Sequence, residues 1–176
     1  FVDFPGKVSY DIGYTRHDLF SFHTETPDYD LYLLSGENEN AICKEFRTLI
    51  GRSYIPPKWA FGLAQSRWGY KTEEDVREVA RQYKEHDLPL DMICMDIEYM
   101  QDYADFTVNK ERFPDLAKLS ADLKAQGIRL VPIIDAGVRI DPNDPTCTEG
   151  LEKGYFCKKA DGTPFVAAVW PGKAYF

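Results

Sequence analysis

Residues 90–98, LDMICMDIE, carry the clearest fold signal in this chain. Apart from Asp91, the run from Leu90 to Met95 is apolar, and it stops abruptly at Asp96. Strands that are buried on both faces of a parallel sheet have near-continuous apolar runs of this kind, whereas half-exposed strands alternate between apolar and polar residues. The stretch therefore predicts a buried parallel strand that ends at a carboxylate.

Two further apolar runs, residues 59–65 and 128–134, predict neighbouring strands. The three strand ends, at Gln65, Asp96 and Asp135, are 31 and 39 residues apart (96 − 65 and 135 − 96). A βαβ unit needs roughly thirty residues, so the spacing fits such units. Pro132, in the third run, argues against a strand there because proline cannot donate a hydrogen bond to the ladder.

Helical patterns occupy the intervals between these strands. Thr72 and Asp75 resemble a capping box at the start of one helix. Pro114 in the first turn and Gly127 after the last one mark a second helix. Each helix has a stripe of apolar residues. The stripes are Val76, Val79, Ala80 and Tyr83 in the first helix, and Leu116, Leu119 and Leu123 in the second.

Two parallel folds have this order of elements. A doubly wound nucleotide-binding sheet requires a glycine-rich turn after its first strand. Residues 66–70 read SRWGY instead, and Trp68 would obstruct a close approach to phosphate. A (β/α)8 barrel carries functional side chains at the carboxyl ends of several strands, as all three runs do here. About 120 residues follow Pro57, against ~250 in a complete barrel. We therefore predict an α/β chain with a partial (β/α)8 TIM barrel.

The barrel prediction covers residues 57–176 as its first three βα units. Residues 1–35 are rich in β-branched and aromatic residues with turns between them, which predicts the C-terminal strands of a β-sandwich domain. Residues 36–56 form a linker, in which apolar residues recur at helical spacing before Gly51. The pair Pro56 and Pro57 indicates the domain boundary.

Composition excludes several classes of function. The formal net charge is -8, and nucleic-acid binding requires a concentrated basic surface, so we expect no nucleic-acid partner. No apolar run approaches the roughly twenty residues of a membrane span, so we expect no membrane partner. Four widely spaced cysteines without a CxxC pair give no basis for a metal site. Cys147 and Cys157 could form a disulfide, but the absence of a disulfide framework favours a reduced, intracellular state.

Carboxylates at the strand ends are the first candidates for chemistry. Asp96 and Glu98 would point to one face of a strand, about 6.6 Å apart. Paired carboxylates flanking one bond carry out glycoside hydrolysis. Equally, one could bind substrate or a neighbouring arginine while the other is solvated. Asp135 allows two interpretations as well: it is either a site residue or an ion-pair partner of Arg67 or Arg139.

Aromatic residues near these ends are the second candidates. Trp68 and Trp170 could each pack against the apolar C–H face of a pyranose ring, or could belong to the core. The three histidines have no serine, cysteine or metal-ligand partner at a useful spacing. Nucleophilic triads therefore receive little support from the sequence.

Five stretches, in the same order, resemble glycoside hydrolase family 31, the family of α-glucosidases and α-xylosidases. The likeness extends over nearly the whole chain, and the order of several motifs makes it specific. The stretches are residues 55–62 (IPPKWAFG), 65–70 (QSRWGY), 95–100 (MDIEYM), 105–107 (DFT) and 169–172 (VWPG).

The resemblance implies retaining hydrolysis of terminal α-D-glucosidic bonds by an Asp nucleophile and an Asp acid/base, without a cofactor or a metal. Both aspartates lie in later parts of the family's barrel. We therefore expect no catalytic residue in this segment, and no activity from the segment alone. Asp96 matches the family aspartate that binds hydroxyls of the −1 sugar. Glu98 stands where the family usually has Asp, which makes a direct role for it doubtful.

The resemblance also assigns the remaining site residues. Ile97 and Ile133 match apolar walls of the −1 subsite, while Asp135 and Trp170 match residues near its floor and side. Trp68 stands where family members have Tyr or Trp, and Trp there is associated with α-1,6-linked substrates such as isomaltose. Alternatives within the fold are an α-xylosidase or an α-glucan lyase. An alternative from another class is a non-enzymatic sugar-binding fragment.

The resemblance also implies the partners, whereas the location is inferred from the sequence itself. We expect a small α-glucoside as substrate and the remainder of the same chain as the packing partner, with a homo-oligomer left open. The sequence has no visible signal segment, which favours a cytoplasmic location.

Overall fold

The computed structural model describes all 176 residues, and they divide into two compact units, Phe1–Ile55 and Pro56–Phe176. The division lies beside the pair Pro56 and Pro57. The two units are described separately below.

The first unit consists of two small antiparallel sheets and one helix. Strand β1 (Val2–Asp3) pairs with β4 (Asp30–Leu31), and β2 (Val8–Ile12) pairs with β3 (Phe20–Thr24). Strands β1 and β4 are each only two residues long. Helix α1 (Glu39–Ile50) begins at Asn38, whose side chain accepts from the Ala41 amide, and ends at Gly51. The assignment of these strands to a β-sandwich stays a prediction.

The second unit is built on the parallel sheet that the sequence predicts. Its strands and helices alternate along the chain, and the three strands are adjacent in the order β5-β6-β7. Cys94 of the middle strand pairs with Ser66 on one side and with Val131 on the other, both in parallel. The elements are β5 (Ala64–Ser66), α2 (Glu73–Glu85), β6 (Met92–Met95), α3 (Leu116–Ala125) and β7 (Arg129–Pro132).

Local signals explain where the two helices begin and what they bury. The Thr72 side chain accepts from the Asp75 amide, and Asp75 accepts from the Thr72 amide at 2.9 Å, which completes the predicted capping box. Helices α2 and α3 pack their apolar stripes on one core with the middle strand. The fully buried members of that core include Val76, Ile93, Met95, Phe113, Leu119 and Leu123.

Three details differ from the sequence prediction. The first apolar run begins as a 3₁₀ turn, Lys58–Phe61, so only its end is a strand. Pro114 precedes helix α3, because Asp115 is the N-cap and accepts from the Lys118 amide at 2.8 Å. Pro132 is accommodated at the end of β7.

The position of Pro132 has a simple geometric reason. Arg129 and Ile133 donate their backbone amides to the carbonyls of Asp91, immediately before β6, and Met95, at the end of β6, at 2.8 and 3.0 Å. Pro132 immediately precedes Ile133, so its nitrogen faces the opposite side of the strand. No strand of this sheet pairs with β7 on that side, and the missing donor therefore costs no ladder bond.

The chain after Asp135 forms a second sheet that the sequence did not predict. It contains β8 (Val138–Arg139), helix α4 (Pro145–Lys153), β9 (Val166–Val169) and β10 (Gly172–Tyr175). The strands are antiparallel in the order β8-β10-β9. The longest helix of the chain has 13 residues, and none combines the length and apolar character that spanning a bilayer requires.

Candidate functional site

A cleft of about 410 Å³ lies at the carboxyl ends of the first two parallel strands. Trp68 follows β5, Asp96 and Ile97 follow β6, and Trp170 lies in the turn between β9 and β10. Tyr103, from the loop after β6, completes the lining. The fold thus brings four of the six predicted binding residues to one place.

Asp96 is held at the start of a short 3₁₀ turn, Ile97–Tyr99. Its Oδ1 atom accepts from the Ile97 amide at 2.8 Å, which fixes the direction of the carboxylate. Its Oδ2 atom makes no hydrogen bond within the chain, and the residue is only half-buried. The arrangement leaves one charged oxygen free to accept from a ligand, and charge-assisted bonds of this kind are the stronger ones.

Glu98 lies outside the cleft. The 3₁₀ turn changes the chain direction after Asp96, so the alternation expected of a strand does not apply to the next two residues. Glu98 is only 5% exposed, and its Oε2 atom has no hydrogen-bond partner. Asp96 and Glu98 therefore do not face one site as a carboxylate pair.

Both tryptophans of the cleft present their rings to solvent. Trp68 is 69% exposed and Trp170 is 68% exposed, whereas Ile97 is only 7% exposed. The Arg67 Nε atom donates to the Trp68 carbonyl at 3.1 Å, and Gly69 follows with φ 107°, a conformation that suits glycine. The cleft therefore has an apolar base and two aromatic sides.

Asp135 and Ile133 are the two predicted residues that do not line this cleft. Asp135 lines an adjoining pocket of about 540 Å³, which shares Trp170 with the cleft. It also lines a larger pocket of about 640 Å³, together with Phe106. Ile133 is 41% exposed and lines neither pocket, and its carbonyl accepts from Tyr99 Oη at 2.8 Å.

Asp105 is a residue of this region that the sequence analysis did not select. It is 3% exposed, and its Oδ1 atom accepts from the Asp135 amide at 3.2 Å. Burial raises the pKa of Asp105 above its ordinary value, the negative charge of Asp135 adds to this, and the amides of Asp135 and Gly137 lower it in part. Its only sequence signal was membership of the motif at residues 105–107.

The segment that carries Tyr103 and Asp105 has an unusual backbone. Asp102, Tyr103 and Phe106 have φ values of 49°, 59° and 63°. Positive φ is uncommon outside glycine and is an outlier for bulky residues. Such conformations cluster at functional sites, where the surrounding structure maintains them. The chain contains no group of three or more His, Cys, Asp or Glu residues arranged to hold a metal ion.

Comparisons with protein families, with curated sequences and with solved structures all indicate the same family for this chain. Residues 53–176 match the model of the glycosyl hydrolases family 31 TIM-barrel domain. The chain is 43% identical over 176 residues to Alpha-glucosidase 2 of Bacillus thermoamyloliquefaciens, an alignment that covers 100% of this chain and 22% of that protein. It also resembles the crystal structure of a family 31 alpha-glucosidase from Bacteroides thetaiotaomicron. The TM-score is 0.81 at 29% identity, over 96% of this chain and 30% of that one.

A third relative is a family 31 dextranase from Flavobacterium johnsoniae, solved in complex with isomaltotriose. Its TM-score is 0.78 at 25% identity, over 97% of this chain and 21% of that one. The chain spans only 22% of the length of the Bacillus enzyme, so these relatives are much longer proteins. The family model nevertheless matches well over half of this chain. The chain therefore belongs to glycosyl hydrolase family 31, and its residues 53–176 lie in the TIM-barrel domain of that family.

Proposed function

We propose that this chain is the sugar-binding segment of a retaining α-glucosidase that removes terminal, non-reducing α-D-glucose. The observation that carries the proposal is the cleft that Asp96 lines together with Trp68 and Trp170. A carboxylate with one free oxygen accepts bonds from sugar hydroxyls, and exposed indole rings pack against the apolar faces of a pyranose. The alpha-glucosidases among the relatives support the same reaction.

The cleft supplies recognition, and other parts of the full-length protein supply the chemistry. Retaining hydrolysis requires two carboxyl groups about 5–5.5 Å apart on either side of the scissile bond. Asp96 is the only carboxylate that lines this cleft. Ile97 forms its apolar base, and Asp135 would contact the sugar from the adjoining pocket. Ile133 would complete the apolar wall once further chain packs beside it.

A preference for α-1,6 linkages is the finer part of the proposal. Trp68 occupies the position at which the family's Trp is associated with such substrates, and the similar dextranase structure contains isomaltotriose. An α-xylosidase or an α-glucan lyase of the same fold would use the same Asp96. The ratio of kcat/KM for isomaltose to that for maltose tests the linkage, activity on an α-xyloside tests the xylosidase alternative, and release of glucose as the product excludes a lyase.

Replacement of Asp96 in the full-length enzyme tests the proposal. Asp96→Asn keeps an oxygen that can cap the Ile97 amide but removes the charge, whereas Asp96→Ala removes both. We expect each variant to lose about 100-fold or more in kcat/KM on isomaltose, because a hydrogen bond to a charged group contributes about 1.5–3 kcal/mol and two are lost. Only the Ala variant should also lose stability, by about 1 kcal/mol for the missing cap.

Asp115→Asn is the matched control. Asp115 also caps a backbone amide with its carboxylate, at the start of α3 and away from the cleft. This variant should keep wild-type kcat/KM. Near-normal activity of both Asp96 variants would remove Asp96 from the site. A full-length wild-type enzyme without activity on any α-glucoside would overturn the proposed function itself.

A further inference from the structure

The residues of the cleft differ in depth. Asp96 and Ile97 form its base, where Ile97 is 7% exposed. Trp68, Trp170 and Tyr103 form its rim, and these three are 69%, 68% and 41% exposed. A sugar bound to Asp96 at the base would direct its leaving group outward, past the three aromatic side chains. The rim is therefore where the second sugar of a disaccharide would lie.

Tyr103 projects from a turn that the chain makes between two buried anchors. Met100 is 2% exposed and Ala104 is 1% exposed, whereas all three residues between them are exposed. Asp102 and Tyr103 both have positive φ, at 49° and 59°. The Tyr103 hydroxyl makes no hydrogen bond within the chain, so both its ring and its hydroxyl are available to a ligand.

Thr107 holds this turn in place. Its Oγ1 atom accepts from the Gln101 amide at 2.9 Å and donates to the Ala104 carbonyl at 2.5 Å. The Ala104 amide donates to the Gln101 carbonyl at 3.0 Å. One hydroxyl thus ties both ends of the turn together. A bulky residue with positive φ persists only where the surroundings determine it, and these bonds provide that constraint.

An ordinary surface tyrosine would have neither this backbone nor this place in a cleft. We propose that Tyr103 is a specificity-determining residue that contacts the leaving-group sugar of the substrate, and that Thr107 is the residue that positions it. The inference rests on the proposed function, since it names the part of an α-glucoside that the rim of the same cleft recognises. The ring packs against the second pyranose, and the hydroxyl exchanges hydrogen bonds with it.

Two substrates with different leaving groups distinguish a contribution of the rim to kcat/KM from a contribution of the base. α-D-Glucosyl fluoride has a single atom as its leaving group, whereas isomaltose has a whole sugar. In the full-length enzyme, we expect Tyr103→Ala to lose at least tenfold more kcat/KM on isomaltose than on the fluoride. Tyr103→Phe keeps the ring and should lose less on isomaltose than the Ala variant does.

The positioning role has its own matched pair of variants. Thr107→Val has nearly the same shape but cannot make either hydrogen bond, and we expect the same selective loss on isomaltose. Thr107→Ser restores the hydroxyl and should restore the wild-type ratio between the two substrates. Thermal unfolding of each variant verifies that the fold is intact.

The remaining outcomes would contradict the role of Tyr103, the role of Thr107 or the proposed function. Equal losses on both substrates, or no loss on either one, would overturn the role of Tyr103 while leaving the proposed function standing. A selective loss in Thr107→Ser as large as that in Thr107→Val would overturn the role of Thr107. A wild-type enzyme that hydrolyses neither substrate would instead overturn the proposed function, and the inference with it.

Discussion

At the scale of single residues, two carboxylates after β6 are almost completely buried. Glu98 is 5% exposed and Asp105 is 3% exposed, and one oxygen of each has no hydrogen-bond partner. Burying a polar group without a partner costs free energy, and a charge costs more. Asp105 partly offsets this cost by accepting from the backbone that carries Asp135. The segment beside the cleft is thus less stable than its apolar packing would allow.

Asp105 gives a prediction about pH. Burial raises the pKa of Asp105 in the folded chain above the ordinary value of about 3.9. The folded state therefore binds this proton more tightly than the unfolded state does. The stability that protonation contributes is complete below the ordinary pKa and is lost as the pH rises through the raised pKa. Asparagine is neutral throughout and can still accept from the Asp135 amide.

We therefore expect Asp105→Asn to unfold with a larger free energy than the wild-type chain at pH 7.5, and this advantage should shrink as the pH approaches 4. Denaturant titrations of both chains at the two pH values measure the difference. Asp102→Asn, the same substitution at an exposed aspartate of the same segment, is the control. An advantage of Asp105→Asn that does not change with pH would contradict the assignment.

At the scale of elements, helices α2 and α3 hold the parallel sheet in place through their apolar faces. A polar bridge joins them at the surface: Arg77 Nη2 lies 2.6 Å from Glu73 Oε1 and 2.8 Å from Asp122 Oδ2. These three side chains are only partly buried, and ion pairs that remain in contact with solvent contribute little to stability. The capping box at the start of α2 contributes more, because it satisfies amides that the helix leaves unpaired.

The capping box gives the second stability prediction. Thr72→Ala removes the acceptor for the Asp75 amide, and we expect a loss of about 1 kcal/mol in the free energy of unfolding. Lys71→Ala, one residue earlier, changes a side chain that makes no ion pair and should have almost no effect. Denaturant titration measures both variants. A Thr72→Ala chain as stable as Lys71→Ala would mean that water replaces the cap at no cost.

At the scale of the whole molecule, the cleft has too few carboxylates to carry out the proposed reaction by itself. Asp96 is the only carboxylate that lines it, and retaining hydrolysis needs two. The parallel sheet has three strands, so β5 and β7 each have a single neighbour. Unpaired strand edges promote association with other chains, which makes the isolated segment prone to aggregate. We expect the rest of the full-length protein to supply both the missing carboxylates and neighbours for the unpaired strand edges.

An assay of the 176-residue chain beside its full-length parent tests this view. We expect the parent to hydrolyse p-nitrophenyl α-D-glucoside and isomaltose, and the 176-residue chain to hydrolyse neither. Binding of glucose by the isolated chain, measured calorimetrically, would still be weakened by Asp96→Ala. Turnover by the isolated chain would mean that Asp96, Glu98 or Asp135 carries the chemistry and that the nucleophile lies within these residues.

The elements of the second unit up to Asp135, and their order along the chain, could be predicted from the sequence alone. The apolar run before Asp96, the capping box at Thr72 and the glycine after α3 are signals carried by residues close together in the chain. Hydrophobic periodicity and capping act over a few residues, which is why parallel strands and both helices could be predicted. Even the family resemblance rests on short stretches of this kind.

Which of these residues lie together is seen only in the folded chain. Trp68 and Trp170 are 102 positions apart (170 − 68), yet they line one cleft, while Glu98, two residues from Asp96, is buried outside it. The antiparallel pairing of Arg139 with Ala174 and the place of Tyr103 were not predicted from the sequence. Contacts of this kind depend on the direction in which each turn sends the chain and on long-range packing. Periodicity and capping signals act over a few residues and do not reveal these directions.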